Sequence, residues 1–238
     1  MLTKNILVEE MDSRTIEKET KGLLIIPVGS IEAHGPQLPL KTDLLQAEVT
    51  AKELAARVKA LVAPSIAYGV CPGTNQFPGT ISIRLSTLSS LIEDILEEFC
   101  RLGFKKILII SGHGTGAHMS ALRDGAGRVA SNHKDLKVAV LCDYDFVYEL
   151  RGKDSPSTDG HGGLLETSRV MALAPKLVGS QRPVVQFKGN RYLVSESKPE
   201  DWPESVMGDT RTASAELGQR IQEHVVKRLA ETVEQLFP

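Results

Sequence analysis

The chain has 238 residues, 41% hydrophobic and 24% charged, which is enough apolar sequence for a single α/β domain over 1–238. Its formal charge is -2 and its basic residues are scattered, which argues against nucleic acid or anionic lipid as a partner. Cys71, Cys100 and Cys142 lie far apart with no C-x-x-C pair, and no apolar run reaches the roughly 20 residues a bilayer needs, so neither disulfides, a thiolate metal site nor a membrane is expected and the compartment is cytoplasmic.

In chain order, GLLIIPVG (22–29), KALVAPSIAYG (59–69), GTISIRL (79–85), KKILIIS (105–111) and KVAVLCDYD (137–145) read as strands. Residues 43–58 carry a helical apolar pattern, and a second helix opens at Ser86 or Thr87 and runs to Leu102 before Gly103 stops it. Further helices are expected over 116–131, 164–174 and 211–236. Alternating strands and helices predict a layered αβα domain with a mainly parallel central sheet. Residues 180–209, rich in proline and charge, read as a long loop beside the pocket or a short extra hairpin.

A parallel sheet places its ligands at the carboxyl ends of its strands, so the segments after GLLIIPVG and KKILIIS are where chemistry is expected. The first holds Glu32, His34 and Asp43 in GSIEAHGPQLPLKTD. Two-residue spacing puts Glu32 and His34 on one side of an extended backbone, and the Gly-Pro and Leu-Pro steps can turn Asp43 back towards them. The second holds His113 between glycines in SGHGTG, and a third, DGHGGLLETS, offers His161 in a loop and Glu166 in a first helical turn. Imidazole and carboxylate without sulfur favour Zn, Mn or Fe(II) in one or two catalytic sites, with His161 moving protons.

Plainer explanations compete for the same residues. Glu32, His34 and Asp43 could form an ordinary polar turn, and GHGTG could cradle a phosphate, although it lacks both G-x-G-x-x-G and a P-loop lysine. No G-x-S-x-G elbow supports a serine nucleophile. His118 is expected to be structural, His133 and His224 to be surface residues, and Cys71 to be an ordinary exposed loop cysteine.

Together the clusters resemble the creatininase family of metal-dependent amidohydrolases. The match is carried by GSIEAHGPQLPLKTD, GHGTG and DGHGGLLETS, with support from FPGT at 77–80 and MGDTRTASAELG at 207–218. The resemblance implies a creatininase-like fold with two divalent metal ions bridged by Asp43. Glu32 and His113 would complete one site, His34 would hold the other, and Glu166 would bind or support a metal. His161 would be the acid/base or substrate-holding group, a small molecule the substrate, and a homo-oligomer the assembly.

Four departures from the family pattern are visible. Thr115 stands where creatininase proper has a carboxylate, Gln37 and Thr74 stand where histidines are common, and Arg151–Ser157 lacks the tryptophans that cover creatinine. A small cyclic amide or formamide is therefore expected, rather than creatinine. A family-type peptidase or keto-inositol hydrolase is the enzymatic alternative, and a non-catalytic ligand-binding protein the alternative of another class.

Overall fold

A computed structural model describes residues 6–189, 200 and 202–238. Four strands, β1 (Leu23–Val28), β2 (Leu61–Val62), β3 (Lys106–Ser111) and β4 (Lys137–Cys142), form a parallel sheet in the order β2-β1-β3-β4. Every residue of β1 is buried, as is all of β3 after Lys106, which explains why both read as unbroken apolar runs instead of alternating ones.

The helices are α1 (Ser13–Glu19), α2 (Thr42–Val58), α3 (Leu85–Leu102), α4 (Gly116–Asn132), α5 (Tyr144–Val147), α6 (Leu164–Leu173) and α7 (Ala215–Leu236). α3 packs on α4 and α6 on α7, while α2 touches both β1 and α7. The expected α/β architecture with a parallel sheet flanked by helices is thus present. No described helix is long and apolar enough to cross a membrane.

Some expected elements differ. The strand expected over 59–69 is cut to Leu61–Val62, because Pro64 has no N–H to continue the ladder; Ile66 makes only an isolated bridge to Val28. The expected strand 79–85 is absent, since its amides are spent on loops: Ile81 N–H donates to the Ile31 carbonyl and Ile83 N–H to that of Gly69. Ile81 is left half exposed.

The strand expected over 137–145 stops at Cys142 and turns into α5. α7 starts at Ala215 and not at 211, where the Ser214 hydroxyl accepts the Leu217 N–H at 3.1 Å. α1 was not foreseen among charged residues, yet Asp12 caps it by accepting from the Arg14 and Thr15 amides. Within 180–209, β5 (Val184–Val185) pairs antiparallel with β6 (Gly208–Asp209), while 190–199 and 201 lie outside the described residues.

β1 connects towards one edge of the sheet and β3 towards the other, so a crevice opens between their carboxyl ends, where Val28 pairs with Ser111. The start of α2 is seated in that crevice on two glycines. A Cβ on Gly29 would lie 2.3 Å from the Leu44 Cα, and one on Gly112 would lie 2.1 Å from the Asp43 carbonyl oxygen. Gly112→Ala should therefore lift α2 and lower stability by roughly 1–3 kcal/mol, the usual cost of overpacking. Chemical denaturation would check this, and an unchanged midpoint would mean that α2 is not held this closely.

Candidate metal centre

Three loops meet in the crevice. Residues 29–41 follow β1, 112–115 follow β3, and 159–163 lead into α6; together with the first turns of α2 and α6 they bring Glu32, His34, Asp43, His113 and Glu166 into one buried cluster. Asp43 is at its centre. Its Oδ1 lies 3.0 Å from His34 Nε2, and its Oδ2 lies 2.9 Å from His113 Nδ1. Glu32 Oε2 is also 2.9 Å from His113 Nδ1, and Glu166 Oε1 is 3.7 Å from His34 Nε2.

The imidazoles are oriented from behind by main-chain carbonyls. His34 Nδ1 is 3.0 Å from the Glu32 carbonyl, and His113 Nε2 is 3.1 Å from that of Val70. Each carbonyl accepts the N–H of the ring, which leaves His34 Nε2 and His113 Nδ1 as the donor atoms facing the carboxylates. His34 Nε2 is buried and has no well-aligned hydrogen-bond partner.

These residues fit a pair of divalent cations. Ligand atoms about 2.0–2.2 Å from one ion are separated by roughly 3.0–3.5 Å at tetrahedral or octahedral angles, close to the spacings around both imidazoles. The electrostatics point the same way. Burial works against charge on His34, yet the Asp43 and Glu166 carboxylates push its pKa up to about 10. Burial opposes charge on His113 too, and Glu32 and Asp43 raise its pKa well above the ordinary value. Asp43 is in turn held well below the carboxylate range by His34 and His113, against its burial. Three buried carboxylates facing two imidazoles make a pocket in need of cations.

The other sequence candidates take distinct places. His161 stacks on His34 with ring centroids 4.0 Å apart, and its Nε2 lies 2.7 Å from the Ala33 carbonyl, so Nδ1 is its free acceptor. Burial and the neighbouring His34 charge lower its pKa, keeping it neutral. His118 is structural, as expected: its Nδ1 accepts the Val70 N–H, its Nε2 is 3.1 Å from the Ser111 hydroxyl, and burial pushes its pKa down to about 3. His133 and His224 pair with Glu97 and Glu149 far along the chain from the cluster.

Neighbouring side chains support the cluster, and of these Ser30 and Tyr144 went unnoticed in the sequence. Ser30 donates to Asp43 Oδ2 at 2.6 Å, Thr74 donates to Glu32 Oε1, and Tyr144 donates to Glu166 Oε1 at 2.6 Å. Gln37 donates to the Gly162 carbonyl at 2.8 Å, pinning the His161 loop. Thr115 is turned away from metal duty and donates to the Val70 carbonyl at 3.0 Å. Ser30 lies inside the GSIEAHGPQLPLKTD segment, so proximity in sequence was the available signal; Tyr144 offered none. Cys71 is a correction: it is fully buried beside Glu32 and His113 and not exposed.

A cavity of about 540 Å³ opens onto the cluster, lined by Glu32, Asp43, His113, His161 and Glu166, with Tyr144, Tyr148, Trp202, Arg123 and Arg151 among its other walls. The creatininase family profile, described as creatinine amidohydrolase, matches residues 9–233. The chain belongs to the creatininase family. A creatinine amidohydrolase of Pseudomonas putida is 30% identical, with 100% of this chain and 99% of that protein covered. A mycofactocin precursor peptide peptidase of Mycobacterium tuberculosis is 31% identical, covering 90% of this chain and 86% of that one. A creatininase crystal structure superposes with a TM-score of 0.91 at 28% identity, covering 99% of each chain, and related structures include a Zn-Zn type and a Mn form. This member of the family is thereby a metal-dependent amidohydrolase in its broad chemistry.

Because both imidazoles hold protons when no metal is bound, ion uptake must displace them. Titrating metal-free protein with zinc near pH 7 in weak buffer should release at least about two protons per chain, and affinity should fall as pH falls. An indicator dye reads the release; none at all would mean that the imidazoles are already neutral.

Proposed function

We propose that this creatininase-family protein hydrolyses a carbon–nitrogen bond in a small cyclic amide, formamide or related substrate. Two divalent ions would be held by Glu32, His34, Asp43, His113 and Glu166. The observation that carries this is the Asp43 carboxylate, whose two oxygens face two different imidazoles whose other nitrogens are already occupied. Glu32, His113 and Asp43 would hold one of them, and His34, Asp43 and Glu166 the other. Zinc or manganese is favoured by the related structures, and Fe(II) suits the same nitrogen and oxygen donors. Bound there, the ions supply polarisation of a carbonyl and acidify water to a pKa of about 7.

The chain's own residues do the rest. His161 is neutral, lines the cavity and keeps Nδ1 free, so it can take a proton during attack and return it to the departing nitrogen. Glu166 is fixed by Tyr144 and by the Gly162 N–H, which donates to its Oε2 at 2.6 Å, leaving it little freedom to swing away from the centre. Trp202 stands 5.0 Å from His161 and lines that side of the cavity.

A volume of about 540 Å³ lies within the range of small-molecule sites. A short peptide is the alternative substrate. In its favour, Arg123 has no hydrogen-bond or ion-pair partner among the described residues, and Arg151 Nε is buried and unpaired, so the cavity offers cationic groups to a carboxylate. We place the protein in the cytoplasm, where its three free cysteines are at home, and as a homo-oligomer, for which exposed Leu40, Ile81 and Leu85 offer apolar surface.

Asp43→Ala should abolish metal binding and hydrolysis together, because it removes the carboxylate between the two cations. Elemental analysis beside an amide-hydrolysis assay tests it, and full activity in the variant would sink the paired-ion arrangement. His161→Ala should keep its metal but lose about 10²–10⁴-fold in turnover. Loss of metal in that variant would make His161 a ligand instead.

A further inference from the structure

Cys71 is fully buried, unpaired, and turned into the metal centre. Its Sγ, a Glu32 carboxylate oxygen and a His113 ring nitrogen all lie within 4.8 Å of one another. The loop that carries it is held to the same residues from both sides. One residue earlier, the Val70 carbonyl accepts from both His113 Nε2 and Thr115 Oγ1, and the Val70 N–H donates to His118. Three residues later, Thr74 hydrogen-bonds Glu32. The Cys71 amide itself donates to the Ser82 hydroxyl at 2.9 Å, so the backbone cannot easily carry the thiol elsewhere.

We propose that Cys71 is a thiolate ligand of the ion held by Glu32, Asp43 and His113, which makes the two metal positions chemically unequal. This rests on the paired-ion centre proposed above. On binding, the S–H bond breaks, a sulfur–metal bond forms, and the proton leaves to solvent. The Glu32 position then has four protein donors, one of them soft, and it prefers zinc or cobalt over manganese. The His34 position has three donors, His34, Asp43 and Glu166, all nitrogen or oxygen.

Four protein donors close a site and three leave it open to substrate. The Cys71 ion is therefore the fixed, slowly exchanging one, and the substrate meets the ion beside His34, against which His161 is stacked. The departure from the family pattern at Thr115 fits this division, since its hydroxyl goes to the Val70 carbonyl and helps to orient His113 and the Cys71 loop instead.

The test uses the full chain stripped with chelator and reloaded with two equivalents of Co(II). The native protein should show a near-ultraviolet thiolate-to-cobalt charge-transfer band, retained in Cys142→Ser and missing from Cys71→Ser at equal cobalt content. Cys71→Ser should also lose at least tenfold of the zinc-over-manganese preference at one ion. Two bound cobalt ions without the band, or a band that survives in Cys71→Ser, would overturn the proposal. Should that variant fail to fold, X-ray absorption on the zinc-loaded native protein decides the matter: a sulfur scatterer at about 2.3 Å supports Cys71, and nitrogen and oxygen alone overturn it. Failure of the native protein to take up any metal would overturn the paired-ion centre itself.

Discussion

The contact on which the rest depends is that of the Asp43 carboxylate with two imidazoles at once, 3.0 Å from His34 and 2.9 Å from His113. No single strand or loop could supply it. His34 comes from the segment after β1, His113 from the segment after β3, and Asp43 from the first turn of the helix that fills the gap between them. A carboxylate in the first turn is also favoured by the positive end of the helix dipole. The two glycines under α2 are what let a helix approach closely enough for a short aspartate to reach both rings.

The parallel sheet provides the setting and decides little of the chemistry. Its order puts β1 and β3 side by side in the middle, and their connections diverge, so two polar loops are delivered to one crevice. Beneath the cluster lies a second, fully buried ionic group. Arg169 Nη2 is 2.8 Å from Asp143, and Arg169 also donates to Thr50 and Gln222, joining α6, α2 and α7 to the end of β4. An unpaired charge in that location would be costly, so this group locks α6, and Glu166 with it, in one position.

Much of this is legible in the sequence because the donors are chemically distinctive and stand next to the punctuation that shapes their loops. Glycines flank His113, Gly-Pro follows His34, and Glu166 opens an apolar helical pattern. The strands at 22–29 and 105–111 are equally plain, being unbroken apolar runs. The segments 59–69 and 79–85 mislead because an alternating apolar pattern does not say whether the amides meet a sheet or a loop carbonyl. Tyr144 and Cys71 are illegible for a different reason. Their importance lies wholly in long-range placement: Tyr144 hydroxyl on Glu166, and Cys71 thiol beside residues far away in the chain.

The close seating of α7 on α6 has a consequence in time. The Ser168 carbonyl oxygen would lie 1.9 Å from a Cβ on Gly218, the Ser214 amide donates to the Ser168 hydroxyl, and Gln222 holds Arg169. The helix that presents Glu166 is therefore clamped by α7, which is made after every residue of the cluster. During synthesis, the earlier segments can collapse into a sheet with Asp43 between its histidines, but Glu166 is held in its final place beside His34 only once α7 docks. The cluster is thereby completed late, after all of its own residues have been made.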